Sequence, residues 1–398
     1  MTFQPLARIC LLLPAFVLTA CTIKTQIADE DDDGGATSAD PTVTTGESPT
    51  SAPPINGESS GDETAGNTGS CTPVKLMKSA LSPNVVLVLD KSGSMVADPT
   101  GLWDHDDDPN TADVTRWSSL HEVVEAIVTD FDSKINFGAH LYPADEATAS
   151  YNSEACLVDG AINIGVAAEN KVAILGGIPT AGDTSLRGGT PVSLAMTVAL
   201  DHLKTLDPDV PRAVLLVTDG AANCAVGSES DHDLFEEYDE GIHTVVGDAF
   251  TVDGIPTYVV GVGIEDVTSD QVQDGTPDNT NTFDRLNELA EDGGKPRDDP
   301  SEKFFNTNNE LELAAALDQI AVDALTCIVP LDPAPVDPQE TIVVLNGEVV
   351  PQVSDCQTET GWVYVNPEGP FDAIRMCGSA CGGLKLTGSA EVTVCAVE

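Results

Sequence analysis

Val85-Val86-Leu87-Val88-Leu89 is an unbroken apolar run that stops on Asp90-Lys91-Ser92-Gly93-Ser94. A run of this kind, with no polar interruption, predicts a strand buried on both faces, as in a parallel sheet covered by helices. An acid at its end, followed by hydroxyls at alternate positions, brings three hard oxygen donors together if the chain curls there. Two later segments fit the same plan. Gly188-Gly189-Thr190-Pro191 sets a hydroxyl at the mouth of a helix, and Leu215-Leu216-Val217-Thr218-Asp219-Gly220 ends a second apolar strand in an acid.

Strand and helix signals alternate around these segments. From Ser118, the apolar residues Leu120, Val123, Val124, Ile127, Val128 and Phe131 form the broad stripe of a sheet-packed helix. Strands are expected over 135–142, 161–166, 213–218, 257–262 and 304–305. Further helices are expected from Pro191, which fits a first helical turn, around 286–290, and over 311–325 with Asn308 or Asn309 near the cap. The expected fold class is α/β: a Rossmann-like, open, mostly parallel sheet with helices on both faces. Ligands of such sheets gather beyond the carboxyl ends of the strands, where Asp90 and Asp219 stand.

Asp90, Ser92, Ser94, Thr190 and Asp219 together match a known pattern. They resemble the metal-ion-dependent adhesion site of the von Willebrand factor A-type (VWA) domain, and the resemblance extends over roughly residues 75–327. It implies that Ser92 and Ser94 ligate a cation directly, and that Asp90, Thr190 and Asp219 do so directly or through water. Because every donor is oxygen, the ion would be Mg2+, or Ca2+ or Mn2+. The resemblance further implies a protein partner that offers an Asp or Glu carboxylate to the metal. Lys91 is expected to point outward. Trp103-Asp104-His105-Asp106-Asp107-Asp108 lacks EF-hand spacing and reads as a solvated or weak calcium loop.

The first twenty residues read as a signal peptide, with Arg8 ahead of the apolar run 9–18. Leu18-Thr19-Ala20-Cys21 resembles a bacterial lipobox, in which Cys21 is lipidated; an ordinary cleavage site with an incidental cysteine is the other reading. By resemblance to bacterial sorting patterns, Thr22 in place of Asp after the cysteine implies the outer membrane, and so an expected place at the outer membrane or cell surface. Residues 21–70 read as a lipid-anchored acidic tether, too poor in apolar residues to order itself. A flexible coil of that length spans roughly 40 Å.

Residues 71–327 are expected to form the VWA domain and 328–398 a small β-rich domain. The latter opens on Pro330, Pro333, Pro335 and Pro338 and shows short extended runs without a helix-length pattern. Its core looks too thin to stand without disulfides. Eight cysteines remain after Cys10 and Cys21, which suits an oxidising compartment. Cys71 and Cys327 flank the α/β domain, whose ends should meet, so they are expected to pair. Cys156 with Cys224, Cys356 with Cys377, and Cys381 with Cys395 complete the set.

A net charge of −49, from 66 acids against 17 bases, argues against nucleic acid and leaves the lipid anchor as the only route to a membrane. Enzyme activity is not expected. Gly182 to Gly189 lacks the Gly-Lys-Ser/Thr ending of a phosphate loop, and Ser92 is not in a nucleophile elbow. The expected function is a divalent-cation-dependent, adhesion-type protein-binding module on the bacterial envelope. A structural envelope protein whose ion only ties loops together is the alternative, and a metal-dependent hydrolase a more distant one.

Overall fold

The computed structural model describes residues 72–97 and 101–396. The expected signal peptide, Cys21, the tether and Cys71 lie outside those residues. After β1 (Thr72–Ser79) the chain enters β2 (Asn84–Asp90), buried at all seven positions. A short hairpin, β3 (Leu102–Trp103) and β4 (Val114–Thr115), leads into α1 (Arg116–Asp130), β5 (Asn136–Tyr142), β6 (Ile164–Ala167) and α2 (Lys171–Gly177). There follow α3 (Val192–Lys204), β7 (Arg212–Thr218), α4 (Asp231–Glu236) and α5 (Gly241–Thr251). The α/β part closes with β8 (Thr257–Val262), α6 (Thr282–Asp292), β9 (Phe305–Thr307) and α7 (Glu310–Ala324).

Six of these strands form one sheet in the order β6-β5-β2-β7-β8-β9. Every neighbouring pair is parallel except β5 with β6. The alternation of side chains along β2 divides the core in two. Val85, Leu87 and Leu89 pack with residues of α1 and α7, whereas Val86 and Val88 pack with those of α3, α5 and α6. Helix starts are fixed by side chains: Thr115 accepts from the Ser118 N–H, and Asn309 accepts from the Glu312 N–H.

The remaining elements are β10 (Ile328–Pro330), β11 (Ile342–Leu345), β12 (Glu348–Val350), β13 (Gly361–Tyr364), β14 (Ala373–Cys377), α8 (Ser379–Thr387) and β15 (Ser389–Ala396). They make two small sheets, β1-β15-β11-β12 and β10-β14-β13. Trp362 and Tyr364 are buried in the core beneath them, edge to face at 5.2 Å.

Three expectations need correction here. The boundary at 327/328 does not divide the chain, because β1 pairs antiparallel with β15 along its whole length. The α/β part is therefore inserted between the first strand of the small β part and the rest of it, and both belong to one compact unit. Secondly, the small part contains a helix, α8, which buries Ala380 and Leu384 one turn apart. Thirdly, Cys327 bonds Cys381, not Cys71, so Cys381 is not joined to Cys395 either. The reason is positional. Cys327 enters β10, whose partner β14 runs directly into α8, leaving the Cys327 and Cys381 Cα atoms 5.2 Å apart. Cys156–Cys224 and Cys356–Cys377 are bonded pairs, and Cys395 is disulfide-bonded as well.

His140, on β5 beside Val88, is fully buried, and burial pushes its pKa down to about 4 against the opposing pull of Asp159. The folded chain thus keeps this imidazole neutral while the unfolded chain protonates it near its ordinary value. Its contribution to stability is complete above about pH 6.5 and is lost as pH falls toward 4, by about 3 kcal/mol in all. Urea denaturation of wild type and His140→Leu between pH 4 and 8 checks this. The variant should lose that part of the slope, and equal slopes would refute the assignment.

Candidate metal centre

Asp90, Ser92, Ser94 and Asp219 gather at the carboxyl edge of β2 and β7, and Thr190 lines the same cleft as Ser94 and Asp219. Asp90 ends β2 and is fully buried, held from two sides: the Ser92 N–H donates to its Oδ1 at 2.8 Å and the Thr218 hydroxyl to its Oδ2 at 2.8 Å. Beyond it a single 3-10 turn, Gly93–Met95, swings Ser94 back over the strand end. The Ser92 and Ser94 hydroxyls lie 2.9 Å apart, and Ser94 donates to Asp219 Oδ1 at 2.7 Å. Four of the residues therefore form a connected cluster. Thr190 comes from the loop before α3, and its N–H donates to Asn223 Oδ1 at 2.8 Å.

Two loops must approach closely for this. The Gly93 N–H donates to the Gly188 carbonyl at 3.1 Å. Gly188 has φ +110, and a β-carbon there would stand 2.6 Å from the Pro143 ring, so a side chain would push the loop carrying Thr190 away. On the far side, the Cys156–Cys224 bridge fixes the loop that follows Asp219. Ser94, Thr190 and Asp219 line a cleft of about 1170 Å³; Asp90 and Ser92 lie at depth.

The electrostatics of the cluster are unbalanced. Burial, and then the neighbouring charge of Asp219, push the Asp90 carboxyl up to about 7. Burial likewise raises Asp219, against the opposing pull of Arg116 and the Ser94 hydrogen bond. Two desolvated acids and three hydroxyls, all hard oxygen donors, are a set that a small divalent cation would relieve. Among the described residues no group of three or more His, Cys, Asp or Glu converges; this donor set has two carboxylates, and hydroxyls supply the rest.

Several contributors had no sequence signal. Arg116, the first residue of α1, reaches Asp219 Oδ2 at 3.1 Å, and the Tyr142 hydroxyl approaches Asp90 at 3.4 Å. Asn223 bridges Thr190 and the Gly275 carbonyl. Only its place four residues past Asp219 marks it in the sequence. Lys91, expected to point outward and not at the metal, donates to Asp145 at 2.7 Å, but its side chain is buried. The 103–108 segment contributes Trp103 to the core, while Asp106 spends one oxygen on its own loop, accepting from the Asp108 N–H and the Thr111 hydroxyl.

No protein-family model and no curated protein matches the chain. Solved structures do match at low identity. The PilB minor pilin from Streptococcus sanguinis is 15% identical over 61% of this chain and 61% of its own, with a TM-score of 0.38. The pilus adhesin SpaC from Lactobacillus rhamnosus GG is 14% identical over 81% of this chain, with a TM-score of 0.43. This chain spans only 40% of SpaC. The manganese-loaded TRAP protein of Plasmodium vivax is 16% identical over 63% of this chain and 78% of its own, with a TM-score of 0.34. At such scores none of them assigns a family or a function.

Proposed function

We propose that this chain is a divalent-cation-dependent protein-binding module of the VWA type. One observation carries the reading: Ser92, Ser94 and Asp219 are linked at the carboxyl edge of a parallel sheet, over a buried Asp90, at an open cleft that Thr190 also lines. Asp90, Ser92, Ser94, Thr190 and Asp219 would hold Mg2+, Ca2+ or Mn2+. A bound ion would supply a Lewis-acidic position for an Asp or Glu carboxylate of a partner. The chain's own residues orient that position: Thr218 and the Ser92 N–H fix Asp90, and Asn223 fixes Thr190.

Binding is favoured over catalysis because Asp90 and Asp219, the two acids of the cluster, would both be committed as ligands of the ion. Neither is free to act as a general base. The lipobox-like Leu18-Thr19-Ala20-Cys21 supports display on the bacterial outer membrane or cell surface through a lipidated Cys21. No helix among the described residues is long and apolar enough to cross a membrane.

The test is a pull-down from envelope and matrix proteins with immobilised protein in Mg2+ or in chelator. A partner retained with Mg2+ and released by chelator is the expected outcome. A melting temperature that responds to the ion while no interaction does would make the ion structural. Turnover of a substrate would make the chain an enzyme.

A further inference from the structure

Arg116 is a cation built into a site that is meant for a cation. Its Nη1 lies 3.1 Å from Asp219 Oδ2, with the side chain mostly buried. Its Nε is buried without a hydrogen-bond partner. The guanidinium rests against Gly263, where φ is +65 and an added β-carbon would stand 3.1 Å from Nη2 and 3.3 Å from Nε. Its backbone is tied too, the Arg116 N–H donating to the Gly101 carbonyl at 2.9 Å. In a chain with 17 bases against 66 acids, a seated arginine at this point alters the local charge sum.

Asp90 and Asp219 contribute two negative charges, and a divalent cation alone would cancel them. Arg116 adds one positive charge to that sum. We propose that Arg116 tunes the site: by engaging one oxygen of Asp219 it weakens the hold on the cation and leaves net positive charge for an anionic group of the partner. The inference rests on the cation-dependent reading above. It makes Arg116 a specificity-determining residue, acting through Asp219, with no direct bond to the ion. A purely structural ion pair would instead stabilise the fold and leave ion affinity unchanged.

Calorimetric titration of Mn2+ into the full chain distinguishes these, with wild type, Arg116→Met, Arg116→Lys and Gly263→Ala compared. Arg116→Met should bind Mn2+ about tenfold more tightly, and Arg116→Lys, which keeps the charge, should stay within about threefold of wild type. Gly263→Ala, which displaces the guanidinium, should shift affinity in the same direction as Arg116→Met and serves if that variant does not fold. With Mn2+ saturating, acetate should lower the water proton relaxation enhancement more readily in wild type than in Arg116→Met. Equal Mn2+ affinity in wild type, Arg116→Met and Gly263→Ala would overturn the role of Arg116 and leave the cation site standing. Absence of Mn2+ binding in every form, wild type included, would overturn both.

Discussion

Asp90→Ala is expected to abolish measurable Mg2+ and Mn2+ binding in calorimetry while the protein stays folded. Asp90 is the deepest acid of the cluster, and the Ser92 N–H and Thr218 hydroxyl spend their hydrogen bonds on it. Its removal deletes one of only two carboxylates in the donor set and releases the turn that aims Ser92. Leaving two donors unmet costs about 1–3 kcal/mol each. Removing a desolvated charge that Asp219 repels offsets part of that cost, so the thermal transition should move little. Undiminished affinity in the variant would remove Asp90 from the site.

Trp117→Ala is expected to have the largest effect on stability, a loss of about 3–5 kcal/mol in urea denaturation. Trp117 is fully buried in the core between the sheet and α1, and its indole N–H donates to the Thr180 carbonyl at 3.1 Å. Truncation leaves a large cavity and an orphaned carbonyl. It also loosens the first turn of α1, which carries Arg116. A loss below about 1 kcal/mol would mean that the site relaxes around the cavity, and that this helix start is less firmly held than its packing implies.

The sheet was legible because parallel strands buried on both faces announce themselves as continuous apolar runs. Val85 to Leu89 and Leu215 to Val217 could be read directly, and the acid after each strand located the functional edge. α1 and α7 were legible from their apolar stripes. β1 was not, since its polar alternation has meaning only against β15; its Lys75 pairs with Glu391, 316 residues away. α8 was hidden by Gly382 and Gly383, poor helix formers that here lie within a helix supported by its buried face. The pairing of Cys327 depended on which strands flank it, a tertiary fact.

At the site the same division holds. The oxygen donors cluster in short motifs and could be named from spacing. Arg116 could not, because its partner Asp219 lies 103 residues away and no local pattern connects them. The burial of Lys91 was not legible for a similar reason. The strand end does not lead into solvent there, and Asp145 from the loop after β5 meets the ammonium group.

The most direct test of the cation site is an anomalous difference map from crystals of this protein grown with Mn2+. The account predicts a single strong peak in bonding contact with the hydroxyls of Ser92 and Ser94, close to Asp90, Thr190 and Asp219. A map without a peak there, or with the ion held instead by the Asp106–Asp108 loop, would contradict it.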